Sequence, residues 1–513
     1  MLFVVNKILL LFLLLFVLIS IIVLNSIILD FNYKNKTTLK SVCQQFNGSY
    51  DEINFKIIKN VIKNNNKYIT NDSETSFVNI SDNIYIYSGF EINNRDTIVL
   101  IGFAKNWEQI SDDYNYYNYN NSYKVEDYQY YCGFNEEIAI KTLASIEYLP
   151  ESHDYYYSAI KVFCKRPKLF DQNLTINRVK LIQKRKQLNK NYANNESIES
   201  KFVFIARNAN QLKTNNNNNS YYDLDLNESS GGIDRPFTAS PEQQPQQQLV
   251  VCVRPLYGNI SAINLLEFIA YYRLNGINRF VLYNSIPDSH MSNRTKQLFD
   301  LLSSLEFVDV LPFYLPNDEE SRPIIHAKGQ LIAIHDCLYR FVDGIQIHVD
   351  FDEFIITYNY RTIKDFLLSK EVSHSSALVV PTVLFCNEFN YNTSKRYGSL
   401  LISNFNRQKT VWPHEIRSKV IIMRPALISQ MGIHNVWKLS PFYRQQKSHP
   451  ILYSKSNQIL IYHYRKCCDI IQPYFTNFIH FRTINDYIIR DDSMKPYIKR
   501  VKQFIDRYVE IIY

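Results

Sequence analysis

The sequence predicts an α/β fold built on a mostly parallel sheet, set behind a β-rich region and an N-terminal apolar anchor. Three observations carry this. Strand-type and helix-type apolar runs alternate from Leu249 onward, strand-period segments without helices precede that point, and residues 8–29 form one long apolar stretch.

With 513 residues the chain is long enough for two or three domains, and 46% hydrophobic against 21% charged residues is the composition of a folded protein. The segment from Ile8 to Leu29 is interrupted only by Ser20, Asn25 and Ser26 and has the length of a membrane-crossing helix. It is too long for a signal-peptide core and lacks a small-x-small cleavage site. It therefore reads as an uncleaved anchor behind a short tail, residues 1–7. Lys7 precedes the span while Lys34, Lys36 and Lys40 follow it, so charge does not set the orientation. The N-x-S/T triplets, among them those at Asn35, Asn47, Asn259 and Asn392, are the acceptor pattern of lumenal chains.

Residues 30–205 read as a β-rich stem domain, because Asn83 to Ser88, Thr97 to Ile101 and Tyr156 to Cys164 have strand texture. Tyr114 to Tyr123 reads as a biased surface loop. The basic run Lys180 to Lys190 reads as a solvated face, since no zinc-finger spacing or aromatic-basic signature points to nucleic acid. None of the eight cysteines forms a C-x-x-C pair, and Cys43, Cys132 and Cys164 are disulfide candidates in an oxidising compartment. Residues 206–248, with their Asn, small-polar and Pro/Gln runs, form a low-complexity linker.

Leu249 to Val253 begins the α/β part, residues 249–490, as a buried-type strand. A helix follows to Leu274 and stops at Asn275-Gly276, a C-terminal signal. The pattern continues with strand Arg279 to Asn284, helix Arg294 to Leu305, strand Val308 to Leu311, helix Lys328 to Phe341 and strand Ile345 to Asp350. Such alternation implies a Rossmann-like sheet whose ligands bind beyond the carboxyl ends of its strands. Asn284 and Asp350-Phe351-Asp352 sit at those ends. A helix over 491–513 closes the chain.

Asp350 and Asp352 share one side of an extended chain, and carboxylates so close repel unless a cation lies between them. Mn²⁺ or Mg²⁺ favours oxygen ligands and leaves room for substrate phosphates. His348 reads as a strand histidine with a local hydrogen bond. His434, after the strand-like run Lys419 to Pro425, is a candidate third ligand.

These residues resemble glycosyltransferase family 92. Four blocks carry the likeness: Val251 to Asn259 with Glu267 to Gly276; Gly329-Gln330 with Asp336 to Arg340; Asp350 to Phe354; and Lys419 to Pro425 with His434 and Tyr462-His463-Tyr464-Arg465. The resemblance implies a GT-A fold, a divalent metal, and inverting transfer, typically of galactose from UDP-galactose to a glycan. It also implies a type II Golgi membrane protein with a lumenal catalytic domain. By position, Asp350 would face the ribose and metal-bound water, Asp352 would ligate the metal, and His434 would join as third ligand. Arg254, Tyr257, Asn284 and Gln330 fall where such folds hold the nucleotide. Inversion needs a general base, for which Glu388 stands at a suitable interval, with Glu415 as the other choice. The Asn- and Tyr-rich segment Phe389 to Arg407 departs from the family's pattern and leaves the acceptor open. A non-catalytic lectin-like protein of the same fold is the alternative. A metal-dependent hydrolase using His348, Asp350 and Asp352 is the third class, disfavoured because hydrolases usually gather more histidines.

Overall fold

The computed structural model describes residues 76–81, 84–92, 96–106, 128–134, 137–153, 155–168, 176–185, 202–205, 247–258, 260–287, 291–316, 324–390, 399–440, 449–467 and 488–512. The expected anchor 8–29, the biased loop 114–123, Cys43 and nearly all of the linker lie outside these residues. Among those described, no helix is long and apolar enough to cross a membrane.

The N-terminal part is a single antiparallel sheet of eight strands: β1 (Val78–Ser81), β2 (Ile84–Ile92), β3 (Thr97–Lys105), β4 (Tyr128–Phe134), β5 (Glu137–Tyr148), β6 (Tyr157–Lys165), β7 (Arg178–Arg185) and β8 (Phe202–Phe204), ordered β1-β2-β3-β6-β5-β4-β7-β8. Successive residues of β3 are buried on opposite faces: Ile98 and Leu100 join one apolar cluster, Val99 and Ile101 another. A sheet buried on both faces needs near-continuous apolar strands, which Thr97–Lys105 supplies. The sheet curls until β2 approaches β8, enclosing the first cluster. Cys132 on β4 and Cys164 on β6 are joined by a disulfide. Lys180 to Arg185, half of the basic run, form β7.

The second sheet begins with β9 (Leu249–Leu256), followed by α1 (Ala262–Leu274), β10 (Arg279–Asn284), α2 (Asn293–Ser304), β11 (Val308–Pro312), α3 (Gln330–Arg340) and β12 (Ile345–Val349). Both α1 and α2 start at serine caps, Ser261 and Ser292, whose hydroxyls accept from Asn264 N–H and Thr295 N–H. Because Ser261 caps, α1 begins earlier than its apolar spacing suggested. Gly276 has φ +86°, the left-handed conformation that ends a helix without strain on a Cβ. Next come β13 (Glu353–Thr357), α4 (Ile363–Leu367), β14 (Ala377–Cys386), α5 (Leu400–Ser403), β15 (Asn406–Gln408), β16 (Ser418–Ile422), β17 (Ile428–Met431), β18 (Val436–Leu439), β19 (Ile451–Tyr453), β20 (Ile459–Arg465), β21 (Ile488–Arg490) and α6 (Lys495–Ile512).

The sheet order is β11-β10-β9-β12-β16-β14-β20-β13, with β19 on β14. The first four strands are parallel, as the alternating pattern requires. Beyond β12 the sheet is mixed rather than mostly parallel: β16 runs antiparallel to β12 and β14, and β13 antiparallel to β20. The cause lies in the chain past residue 350, where short turns and 3₁₀ segments replace crossover helices. Helices α1, α2, α4 and α6 cover one face. On the other face α3 is sandwiched against the N-terminal sheet, Phe77, Phe103, Phe313, Leu331, Ile332 and Val420 sharing one core. Disulfides Cys252–Cys337 and Cys386–Cys467 tie β9 to α3 and β14 to the end of β20.

One buried acid in this framework has a measurable signature. Glu267 on α1 is fully buried and accepts from the Ser399 hydroxyl and from Leu400 N–H (2.9 Å) and Leu401 N–H (3.2 Å), capping α5. Burial pushes its pKa from 4.5 to about 7 despite these three donors. An acid raised in the folded state stabilises fully below its unfolded value and loses that contribution as pH climbs through the folded one. Stability is therefore expected to decline from pH 4.5 to 7, by about 3 kcal/mol from this group. Thermal unfolding of Glu267→Gln across that range should show a flatter dependence; an unchanged slope would refute the assignment.

Candidate active site

Strands β9 and β12 are parallel neighbours, but the chain order reverses there, β10 and β11 lying to one side and the later strands to the other. Connections diverge at such a point and open a crevice at the carboxyl ends. A small cleft lies there, its lining including Arg254, Gln330, His348, Lys419 and Ile433. Arg254 leaves β9 and Asp350 follows β12, and their Nη1 and Oδ2 are 3.3 Å apart across the reversal.

The acidic motif forms a tight turn. Glu353 N–H donates to the Asp350 carbonyl (3.0 Å), and Asp350 N–H donates to Glu353 Oε2 (2.8 Å). Tyr464 N–H donates to the Asp352 carbonyl (2.9 Å), fastening the turn to β20. Glu353 stands opposite His463 in the β13–β20 register. The imidazole thereby comes within 3.6 Å of Asp352 Oδ2 through Nε2 and within 3.1 Å of Glu353 Oε1 through Nδ1. Asp350, Asp352 and His463 offer ligand atoms that all lie within 4.8 Å of one another.

The two aspartates are compensated differently. Lys419 Nζ is 2.7 Å from Asp350 Oδ1 and 3.2 Å from Glu353 Oε2. Burial alone would raise the Asp350 pKa, but Arg254 and then Lys419 hold it well below the usual carboxylate range. Asp352 is also lowered against burial, chiefly by His463, with Arg254 further off. Glu353 is raised by burial and by Asp350. Asp350 thus has a cation near each oxygen, whereas Asp352 Oδ1 is buried with no hydrogen-bond partner among the described residues. A carboxylate with one free oxygen and an imidazole near the other suits a hard divalent cation.

The other expected residues are distributed as follows. His434 stands outside the Asp350–Asp352–His463 group: its Nδ1 contacts the Ser418 carbonyl at 2.7 Å, and Ser418 Oγ donates to the His434 carbonyl. Burial, then the Lys419 charge, lower its pKa to about 4. His348 contacts Gln346 Oε1 at 3.1 Å on its own strand, and burial takes it to about 3, a neutral ring. Tyr257 is 41% exposed with the Arg254 guanidinium over its ring, 5.6 Å from the centroid. Gln330 lines the cleft at the start of α3. Asn284, by contrast, is used in a turn, accepting from Ile286 N–H at 3.0 Å. Glu388 falls in a 3₁₀ turn, Asn387–Asn390, just past β14; its side chain lies outside the described residues, and Glu415 is exposed.

His463 and Lys419 were not singled out from sequence. Each is a charged or ionisable residue at the edge of an otherwise apolar strand, and such a group needs a partner when buried.

A second structural peculiarity borders the cleft. The four non-glycine residues with positive φ among those described are Glu151 (65°), His153 (47°), Ala327 (47°) and Lys328 (53°). They occupy two facing turns, joined by a bridge between Tyr157 and Ile325. Left-handed backbone costs about 1–2 kcal/mol per residue. The left-handed turn at 327–329 directly precedes Gln330, and so displaces the expected start of α3 from Lys328.

This α/β unit carries the site of a glycosyltransferase. The family model for glycosyltransferase family 92 matches residues 247–505, and the chain belongs to that family. No curated protein matches it. Among solved structures, a UDP-glucose pyrophosphorylase from Acinetobacter baumanii is similar at 10% identity with a TM-score of 0.20, over 51% of this chain and 94% of that one.

Proposed function

We propose that this glycosyltransferase moves a hexose, galactose from UDP-galactose, onto a glycan acceptor with inversion and with the help of a divalent cation. The observation that supports the reading is the Asp352 carboxylate, whose Oδ2 stands 3.6 Å from His463 and whose Oδ1 has no hydrogen-bond partner among the described residues, at the point where the sheet order reverses. Asp352 and His463 would hold Mn²⁺ or Mg²⁺, with Asp350 alongside. A cation so held neutralises charge on a departing nucleoside diphosphate.

The chain's own residues do the rest. Arg254 and Lys419 fix the Asp350 carboxylate and bring positive charge to the cleft wall. Tyr257, exposed beside Arg254, offers a ring face for a base, and Gln330 a polar head on the opposite wall. Strand β14 is parallel to β20, and its carboxyl end leads to Glu388, which we assign as the base that takes the acceptor hydroxyl's proton. We also assign a membrane-anchored, type II placement with the catalytic part in the Golgi lumen. The apolar stretch at residues 8–29 and the three disulfides, which persist in oxidising compartments, support it.

The test is UDP release from a panel of UDP-sugars with Mn²⁺, with and without glycan acceptors. UDP-galactose should give the fastest acceptor-dependent release. Absence of turnover with every donor, alongside measurable glycan binding, would favour the lectin-like reading instead.

A further inference from the structure

The N-terminal sheet reaches the rim of the catalytic cleft. The turn between β5 and β6 carries Glu151, His153 and Tyr155, and faces the turn that carries His326. The His153 and His326 rings are 4.0 Å apart between centroids, and Tyr155 and His326 5.6 Å. Tyr157 N–H donates to the Ile324 carbonyl (3.1 Å), locking the two turns together. Glu151 Oε2 meets the N–H of Ile433 at 3.4 Å, and Gly432 allows this approach, since a Cβ there would overlap the Trp437 ring and the Glu151 carboxylate. Ile433 and Gln330 both line the cleft that holds Arg254 and Lys419.

We infer that the surface these two touching turns present together is a subsite for a neutral saccharide acceptor, so that the N-terminal sheet supplies one wall of the active site. This rests on the transferase reading above. A junction with a purely structural role satisfies its polar groups, whereas here His326 Nδ1 is buried with no hydrogen-bond partner among the described residues. His153 remains exposed and Glu151 and Tyr155 are half-buried, so they are accessible from the cleft mouth. Imidazole and phenol faces take the C–H surface of a sugar ring, while imidazole nitrogens and a carboxylate take its hydroxyls. Strained backbone on both turns fits a ligand clamp, since such strain persists where the surroundings over-determine it. Arg254 and Lys419 lie on the catalytic-sheet side, so the saccharide would approach from the side opposite the nucleotide.

The experiment uses the full chain and a set of neutral oligosaccharides ending in a hexose, an N-acetylhexosamine or a deoxyhexose. Saturation-transfer NMR detects binding, and calorimetry with UDP and Mn²⁺ monitors the nucleotide side. In H153A/Y155A, glycan contacts should be lost and the acceptor KM should rise at least tenfold, with kcat within twofold and UDP affinity kept. His153→Gln with Tyr155→Phe should restore most of the affinity. Equal glycan binding in H153A/Y155A, or no binding of any oligosaccharide by a wild type that binds UDP, would overturn the inference. If the double variant misfolds, photoreactive oligosaccharides on the wild type decide: labelled peptides must include residues 150–156 or 324–329, and labels confined elsewhere overturn it. Labelling of those turns in a protein that fails to bind UDP with Mn²⁺ would uphold the saccharide site and sink the transferase reading.

Discussion

Replacing Asp352 with Ala is expected to remove Mn²⁺-dependent UDP binding while leaving the fold intact. Among the described residues Asp352 Oδ1 makes no hydrogen bond, and Oδ2 lies 3.6 Å from His463 Nε2. The turn is fastened to β20 through the Asp352 carbonyl, which the substitution keeps, so the framework loses only the attraction to His463 that lowers the carboxylate's pKa. Its loss should keep the melting temperature within a few degrees of wild type. Groups that merely orient metal ligands cost about 10–100-fold in affinity when mutated, so a direct ligand should cost at least about a hundredfold. Calorimetric titration of UDP in Mn²⁺ reads this directly. Wild-type affinity in Asp352→Ala would refute the role of this carboxylate, whatever the activity.

Lys419→Met is expected to do the reverse, striking stability first. Lys419 is buried and is the ammonium shared by Asp350 and Glu353. Burial alone would lower its pKa, but those two carboxylates raise it. Breaking a buried ion pair by removing one partner costs about 3–5 kcal/mol, because the other charge stays buried and unpaired. At about 2–4 °C per kcal/mol for a domain of 150–250 residues, the melting temperature should fall on the order of 10 °C. Circular dichroism melts check it. Adding Asp350→Asn should recover part of the loss, since the two substitutions affect one network and are not additive. A double variant as unstable as the sum of the singles would show that Lys419 acts elsewhere.

The contrast between these two residues marks how far the sequence could be read. The parallel half of the catalytic sheet was legible because each strand there is a short apolar run and the first helix stops at a clear signal, Asn275-Gly276. Strand β16 was legible as a strand-like run, but its antiparallel placement and β13 were not, because their register depends on distant pairing. Asp350 and Asp352 were legible as neighbours in the chain. His463 reaches them only because β20 pairs with β13, across 111 residues of sequence from Asp352. The family resemblance pointed to His434, whose Nδ1 is held by the Ser418 carbonyl. Lys419 could have been suspected, since a charged side chain at the start of Val420-Ile421-Ile422 demands a buried counter-charge.

The core shared by the N-terminal sheet and α3 bears on how this enzyme could be produced in parts. Lys161 of β6 is fully buried, yet its ammonium donates to the Ser429 carbonyl (2.8 Å) and pairs with Glu147. Phe77, Phe90 and Phe103 cover the outer side of α3. A fragment cut near residue 247 would strip Phe90 from the Tyr339 ring of α3 and Phe77 from Phe313, and would lose the interdomain bond to Ser429. The segment matching the family model is thus smaller than the cooperative unit that must fold, and expression trials that start at the family boundary should yield aggregates where those starting before Phe77 yield soluble protein.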